Sequence, residues 1–240
     1  MKLIELEEID STNNYAKMNI SAFEDRTVIH AIRQISGRGR LNRSWVDLGE
    51  GNLFMSIVLK PSNTFNEIYP NITQYLSVSL CKVLENYGLK PQIKWPNDVL
   101  INGKKIAGIL SETVMEGQNL EGIVLGIGVN LNSNEADISS IPDKIATSLN
   151  LETGKDINLN IFLKELLTEF FAHYDEFLNK GFINIKDDYI NRNCFLNKEL
   201  NVQVFNNIKT GLAKSINDKG ELVLLSKDNN EFVLTIGDIL

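Results

Sequence analysis

Four of the chain's six arginines, Arg33, Arg38, Arg40 and Arg43, fall within eleven residues, and no acidic residue lies between them. Lysine outnumbers arginine three to one in the whole chain. Choosing arginine four times therefore points to forked, bidentate contacts with phosphate or carboxylate rather than to solvation alone. The same stretch carries Gly37 and Gly39, which let backbone approach a ligand, and it runs on to Trp45, whose indole can stack on an aromatic ring. A dinucleotide-binding turn is a poor match, because the third glycine is missing and a strand follows where a helix N-terminus is needed. The sequence has no Gly-x4-Gly-Lys-Ser/Thr run, which argues against a P-loop.

A second group is a hairpin. Asp98–Ile101 and Lys104–Ala107 flank Asn102-Gly103, the strongest two-residue hairpin turn. In that register Ile101 pairs with Lys104 and Leu100 with Lys105, so Asp98 and Lys105 project from one face. An undistorted strand would add Lys94 to them, although Pro96 interrupts the run. Lys105 is expected to share its face with Ala107 and Ile109, which favours a functional lysine over one that only keeps the hairpin soluble.

Along Ile123–Asn130, Ile123, Leu125, Ile127 and Val129 form a core face, while Gly126 and Gly128 lie on the other. Two glycines on one face mean close approach, by a ligand or by a crossing helix, and both readings stand. Ser11-Thr12-Asn13 opens a helix, and its hydroxyls read equally as caps or as ligand groups.

These residues need positioning elements. The pattern predicts strands at Leu3–Ile9, Thr27–Ile32 and Asn52–Leu59, and a helix over Asn13–Asn19. A second helix is expected over Ile68–Tyr87, stopping at Gly88. An antiparallel meander follows at Pro91–Ile101, Lys104–Val114 and Gly122–Asn132. One amphipathic helical region, Asn160–Asn179, and a short helix near Asp187–Asn191 close this part. After Asn193 come four short strands, Leu200–Phe205, Lys209–Ile216, Leu222–Leu225 and Phe232–Ile236, separated by turn residues; together they suggest a small all-β barrel.

A chain of 240 residues suits one large domain or a medium and a small one. The first residues, Met1-Lys2-Leu3-Ile4-Glu5, lack a signal peptide's apolar stretch, and no apolar run reaches the roughly twenty residues that span a bilayer. The expected compartment is the cytoplasm, with no membrane partner. Cys81 and Cys194 match no metal-ligand spacing and read as small buried hydrophobes. A net charge of −7 argues against general binding to nucleic acid.

Taken together, Ser11-Thr12-Asn13, Arg33 through Trp45, Gly51-Asn52-Leu53, Lys94-Trp95-Pro96-Asn97-Asp98, Lys105 through Leu110 and Gly126-Ile127-Gly128-Val129-Asn130 resemble biotin protein ligases in order and spacing. The resemblance covers nearly the whole chain. It implies an α+β fold: a mixed, largely antiparallel sheet with helices over residues 1–192, related to class II aminoacyl-tRNA synthetases and lipoate ligases. Residues 193–240 would form an SH3-like β-barrel. The implied activity is ATP-dependent: biotin and ATP, with Mg²⁺ carried on the phosphates, give biotinyl-5′-AMP. Biotin then passes to a lysine of a biotin carboxyl carrier domain.

By that resemblance, Ser11, Thr12 and Gln34 bond the ureido ring, with Asn13, Gly37, Gly108 and Gly126 completing the biotin site. Arg38, Gly39 and Arg40 belong to a loop that orders over biotin and the adenylate. Arg43, Trp45, Gly128 and Asn130 fall on the adenylate side, and Lys94 with Asn97 supports the nucleotide. Lys105 contacts the biotin carboxylate and the α-phosphate; it is the catalytic candidate together with Arg40 and Lys94. No side chain is assigned to a metal.

Asn42 stands where the family usually has glycine, and asparagine tolerates positive φ best among the other residues. Only ten residues precede Ser11, so the expected form is one without the DNA-binding domain of the family's repressors, and with no DNA partner. A homodimer through the central sheet is consistent with the family. The rival readings are a lipoate or octanoate ligase, a biotin sensor without catalysis, and a nucleotide-binding structural module.

Overall fold

The structure, a computed structural model, describes residues 1–61, 66–141 and 145–240, with the backbone alone at Asn42. Seven strands form one mixed sheet: β1 (Lys2–Ile9), β2 (Thr27–Gln34), β3 (Leu53–Leu59), β4 (Pro91–Lys94), β5 (Asp98–Ile101), β6 (Lys104–Glu116) and β7 (Asn119–Val129). Their order is β1-β2-β3-β7-β6-β5-β4. Only β1 and β2 run parallel; the remaining pairs are antiparallel.

Both faces of this sheet are covered, and this is why β3 is buried along its whole length. On one face Leu53, Met55, Ile57 and Leu59 join Ile123, Leu125, Ile127 and Val129 of β7 in the main core. Helices α2 (Ile72–Asn86) and α5 (Leu159–Ala172) close over that face with Leu76, Leu80, Phe162 and Leu166. Each such side chain contributes roughly 1.5–3 kcal/mol on burial. The opposite face meets α1 (Thr12–Met18), where Ala16 packs with Ile29, Val58 and Val124. The candidate chemistry lies on this second face.

Two expected helices differ in detail. The first begins with a 3-10 turn at Tyr69–Asn71, because Pro70 has no N–H to give and suits only a first turn. The second breaks at His173 into α5 and α6 (Tyr174–Lys180). The break turns Tyr174 and Phe177 into the aromatic cluster of Tyr75 and Phe170. Two five-residue helices, α3 (Glu135–Ser139) and α4 (Leu149–Thr153), precede α5, and α7 (Lys186–Asn191) follows α6. No residue of α3 is buried, so apolar spacing could not reveal it; a capping box of Asn134 and Asp137 starts it.

The C-terminal sheet comprises β8 (Glu199–Val204), β9 (Asn207–Ile216), β10 (Leu222–Leu225), β11 (Glu231–Leu234) and β12 (Asp238–Ile239), in the order β11-β10-β9-β8-β12. The four expected strands are present, and the two-residue β12 is an addition. Val202, Ala213, Leu222 and Leu224 of this sheet belong to the same core cluster as α2 and α5. Gly220 (φ 76°) anchors the junction: its carbonyl accepts hydrogen bonds from Gln74 Nε2 at 2.8 Å and Trp95 Nε1 at 3.2 Å.

Candidate functional site

A cavity of about 640 Å³ opens on the α1 side of the seven-stranded sheet. Its floor is the glycine face of β7. A β-carbon on Gly126 would collide with the Asn13 carboxamide, and one on Gly128 would lie 2.6 Å from Trp45 Nε1. The two glycines therefore make room for protein side chains that themselves line the cavity. At Gly126 the neighbour belongs to α1, so the crossing-helix reading holds there. At Gly128 the neighbour is a loop side chain, which neither the ligand nor the crossing-helix reading named. Gly108 on β6 serves Trp45 likewise, with a β-carbon there 2.8 Å from Cζ3.

At one end, the N-cap Ser11 makes no side-chain capping bond, and Ser11, Thr12 and Asn13 all line the cavity. Thr12 donates twice to Gln34 Oε1, from its backbone N at 2.8 Å and from Oγ1 at 3.1 Å. With its oxygen so engaged, Gln34 keeps Nε2 as a donor for a ligand. Asn13 is held by Ser56 Oγ at 2.6 Å and donates to Glu112 Oε2 at 2.9 Å. Burial opposes a charge on Glu112, but hydrogen bonds from Lys17 and Asn13, helped by the charges of Lys17 and Arg38, prevail and hold its carboxyl below the ordinary value. The side chains that line the cavity at this end, Ser11, Thr12, Asn13 and Gln34, are neutral donors and acceptors, and the charged Glu112 holds Asn13 in place from behind.

The middle of the cavity is cationic, yet every arginine of the loop has a carboxylate partner from elsewhere. Arg33 Nε pairs with Asp47 at 2.7 Å, away from the cavity wall. Arg38 Nη1 lies 3.2 Å from Glu112 and donates to Asn14 Oδ1 at 2.7 Å. Arg40 donates to Asn97 Oδ1 at 2.9 Å and to Gly237 O at 3.2 Å, with Asp238 Oδ1 at 3.1 Å. Arg43 Nη2 reaches Asp238 Oδ2 at 3.0 Å. Burial lowers the Arg40 pKa and the Asp238 charge works against that shift.

The loop closes on itself through Gly39 N to Arg43 O at 2.7 Å and Trp45 N to Gly37 O at 2.9 Å. Gly37 is therefore part of the closure and not of the cavity wall: a β-carbon on it would meet Trp45 O at 2.5 Å. The left-handed residue of the loop is Leu41 (φ 51°, ψ 43°), one position before the asparagine to which the sequence assigned positive φ.

Lys105, Lys94, Asn97 and Asp98 line the far wall. The hairpin register holds at Ile101–Lys104 and Leu100–Lys105, and then a bulge pairs Val99 with Ala107 and Asp98 with Gly108. The extra residue flips the alternation. Ala107 and Ile109 are core residues, and Lys105 does not share their face as expected; it lies instead with Gly108 and Leu110 toward the cavity. Lys105 Nζ is 2.6 Å from Asp98 Oδ1 and 5.5 Å from the Trp45 ring centroid. Lys94 pairs with Asp98 across β4 and β5, so it joins the face despite Pro96.

Asn130 is not on the wall. Its side chain donates to Thr147 O at 3.0 Å and its backbone N to Ile106 O at 2.9 Å, both inside the protein. Sequence reasoning missed Ser56, Glu112 and the C-terminal Asp238, Ile239 and Leu240, the last three of which line the cavity. Ser56 had a signal, a lone polar residue in the apolar run of β3; Asp238 had none.

The arrangement suits a ligand with a polar, hydrogen-bonding head, an anionic centre and an aromatic group near Trp45. Among the described residues, no three His, Cys, Asp or Glu side chains are grouped to hold a metal ion, and no helix is long and apolar enough to cross a membrane.

Residues 5–130 match the Biotin/lipoate A/B protein ligase family. The bifunctional ligase/repressor BirA of Bacillus spizizenii is 31% identical over 203 residues, covering 84% of this chain and 62% of the relative. The chain thus spans about three fifths of that relative's length. The biotin–[acetyl-CoA-carboxylase] ligase of Paracoccus denitrificans is 30% identical over 224 residues, covering 90% of each chain. Among solved structures, the Aquifex aeolicus biotin protein ligase in complex with biotin and ATP superposes with a TM-score of 0.83 at 30% identity, covering 100% of this chain and 97% of that one.

Proposed function

This chain belongs to the biotin/lipoate A/B protein ligase family, and from that membership we propose that it is an ATP-dependent biotin ligase acting on a biotin carboxyl carrier domain. The observation that carries the reading is that one cavity is lined by the Thr12–Gln34–Asn13 network, by the cations Arg38, Arg40 and Lys105, and by Trp45. A ureido ring, a carboxylate meeting an α-phosphate, and an adenine call for those three environments.

In the first step a biotin carboxylate oxygen attacks the α-phosphorus and pyrophosphate leaves. Negative charge accumulates on the non-bridging oxygens, and Lys105 with Arg40 offsets it from the cavity wall. Asp98, 2.6 Å from Lys105 Nζ, keeps that ammonium aimed at the cavity. Lys94 and Asn97 steady the nucleotide beside them. In the second step a neutral carrier lysine amine attacks the biotinyl carbonyl carbon and AMP departs with the bonding pair. The closed arginine loop excludes water that would hydrolyse the anhydride. Magnesium would enter on the nucleotide's phosphates, and no step here is assigned to it.

The same reading divides the chain into a catalytic domain, 1–192, and a C-terminal domain, 193–240, supported by the separate residue ranges of the two sheets. It places the protein in the cytoplasm, where ATP and carrier are available. The net charge of −7 supports a partner other than DNA. Self-association into a homodimer belongs to the reading and is measured by sedimentation.

The test is incubation with biotin, Mg-ATP and a carrier domain, followed by the carrier's mass. A biotin-sized increase is expected; none, while a competent control ligase succeeds, would overturn the assignment. Lipoate offered in place of biotin should not support pyrophosphate exchange, because a flexible acyl chain cannot use the donors around Gln34.

A further inference from the structure

Asp238 brings a carboxylate to the cavity that neither chemical step uses. Its side chain is nearly buried, at 11% exposure, and lies between two arginines of a loop some two hundred positions earlier. One carboxylate oxygen is 3.1 Å from Arg40 Nη1 and the other 3.0 Å from Arg43 Nη2. The preceding residue adds a third tie, since Gly237 O accepts from Arg40 Nη2 at 3.2 Å. The tail that carries these groups is itself fixed. Asp238 pairs with Gln203 and Ile239 with Val202 on β8, and Leu240 N donates to Asn201 O at 2.9 Å.

We propose that Asp238 is a positioning residue for adenylation, holding Arg40 and Arg43 over the cavity before the nucleotide arrives and keeping the loop closed afterwards. The proposal rests on the ligase reading above. Two neighbouring guanidiniums repel each other, and a shared carboxylate offsets that repulsion without consuming both forks. A guanidinium has five N–H donors. Asn97, Asp238 and Gly237 engage two of Arg40's nitrogens, which leaves the remaining donors for phosphate oxygens. These ties restrain Arg40 and Arg43, so part of their ordering cost is not charged against nucleotide binding. Without the carboxylate the loop opens more often, so nucleotide binds more weakly and the anhydride escapes before transfer.

Asp238→Asn in the full chain keeps the shape and removes the charge. With biotin-dependent ATP–pyrophosphate exchange as readout, KM for ATP should rise about tenfold, the scale of losing a charge-assisted contact. The fraction of biotinyl-AMP released to solution should rise severalfold, and Asp238→Glu should recover part of both. A purely structural role would lower the thermal midpoint and the active fraction, and hence kcat, without moving KM. A folded Asp238→Asn with wild-type KM and wild-type release would overturn the proposal.

Should Asp238→Asn not fold, Arg43→Gln breaks one tie from a side chain that is 53% exposed. Amide exchange at Ile239 and Leu240 should then quicken, and unchanged exchange would equally overturn the proposal. Wild-type protein lacking any biotin-dependent exchange would remove the ligase reading and this proposal together. An active wild type beside an unaltered variant would remove only the role of Asp238.

Discussion

Trp45 occupies the space that a side chain on Gly128 would need: a β-carbon there would stand 2.6 Å from the indole Nε1 and 2.8 Å from Cζ2. The indole nitrogen is buried without a hydrogen-bond partner among the described residues. Its ring also lies 5.5 Å from Lys105 Nζ, so an aromatic face and a positive charge are set side by side.

Gly128→Ala should therefore push Trp45 out of place. Overpacking of this kind costs about 1–3 kcal/mol, which appears here as lost nucleotide affinity because the displaced group borders the cavity. KM for ATP should rise while biotin binding, followed by calorimetry, changes less. Equal loss of both ligands would place Trp45 elsewhere in the mechanism.

Gly126→Ala should strike the other ligand. Its β-carbon would lie 2.8 Å from Asn13 Cγ, and Asn13 cannot retreat without giving up Ser56 and Glu112. Biotin affinity should fall by roughly tenfold or more, since a buried polar network is left half satisfied. Unchanged biotin affinity in a folded variant would refute this placement of the ureido ring.

Lys105→Met removes the ammonium and keeps much of the stem. Adenylate formation should drop by about two to three orders of magnitude, the usual size of one lost transition-state contact. The thermal midpoint should shift little, because Lys105 and Asp98 are both about one quarter exposed. Wild-type exchange rates would end the assignment of Lys105.

Glu112 gives an acid-limb prediction. Its carboxyl is held below the ordinary value of 4.5 in the folded state. The stabilisation is complete above that unfolded value and is lost as pH falls through the lower folded one. Denaturation midpoints should decline across that window in the wild type and more shallowly in Glu112→Gln. Parallel slopes would show that Glu112 is not coupled to folding.

His30 works at higher pH. Neither ring nitrogen has a hydrogen bond among the described residues, and burial lowers its pKa from 6.5, with Glu5 opposing weakly. The unfolded imidazole takes up a proton first, so stability should fall as pH drops below 6.5. His30→Phe should flatten that stretch of the curve. A variant that keeps the wild-type slope would point to another group.

Local chemistry was legible and assembly was not. The Asn102-Gly103 turn fixed which face Asp98 and Lys105 share, because a two-residue turn sets register by itself. One bulge beyond it reversed Ala107 and Ile109, and no residue type announces a bulge that glycine does not make. Crowding at Gly126 and Gly128 was readable, but its occupants were not, since Asn13 and Trp45 arrive from distant segments. The arginines pointed to phosphate or carboxylate, but the carboxylates that Arg38, Arg40 and Arg43 meet, Glu112 and Asp238, lie far along the chain and could not be named. The break at His173 follows from aromatic packing across elements and leaves no trace in helical periodicity.

The core that runs without interruption from α2 and α5 into the C-terminal sheet has a consequence for modularity. Val202, Leu222 and Leu224 cannot be withdrawn without exposing the flank of the same cluster that supports β7. The sheet is therefore not an interchangeable appendage. A graft from a distant homologue would have to match the buried contour at Gly220 as well as the tail that reaches the arginines. Heat should melt the chain in one cooperative transition, and a ligand bound on the far side of the molecule should delay the loss of both sheets together.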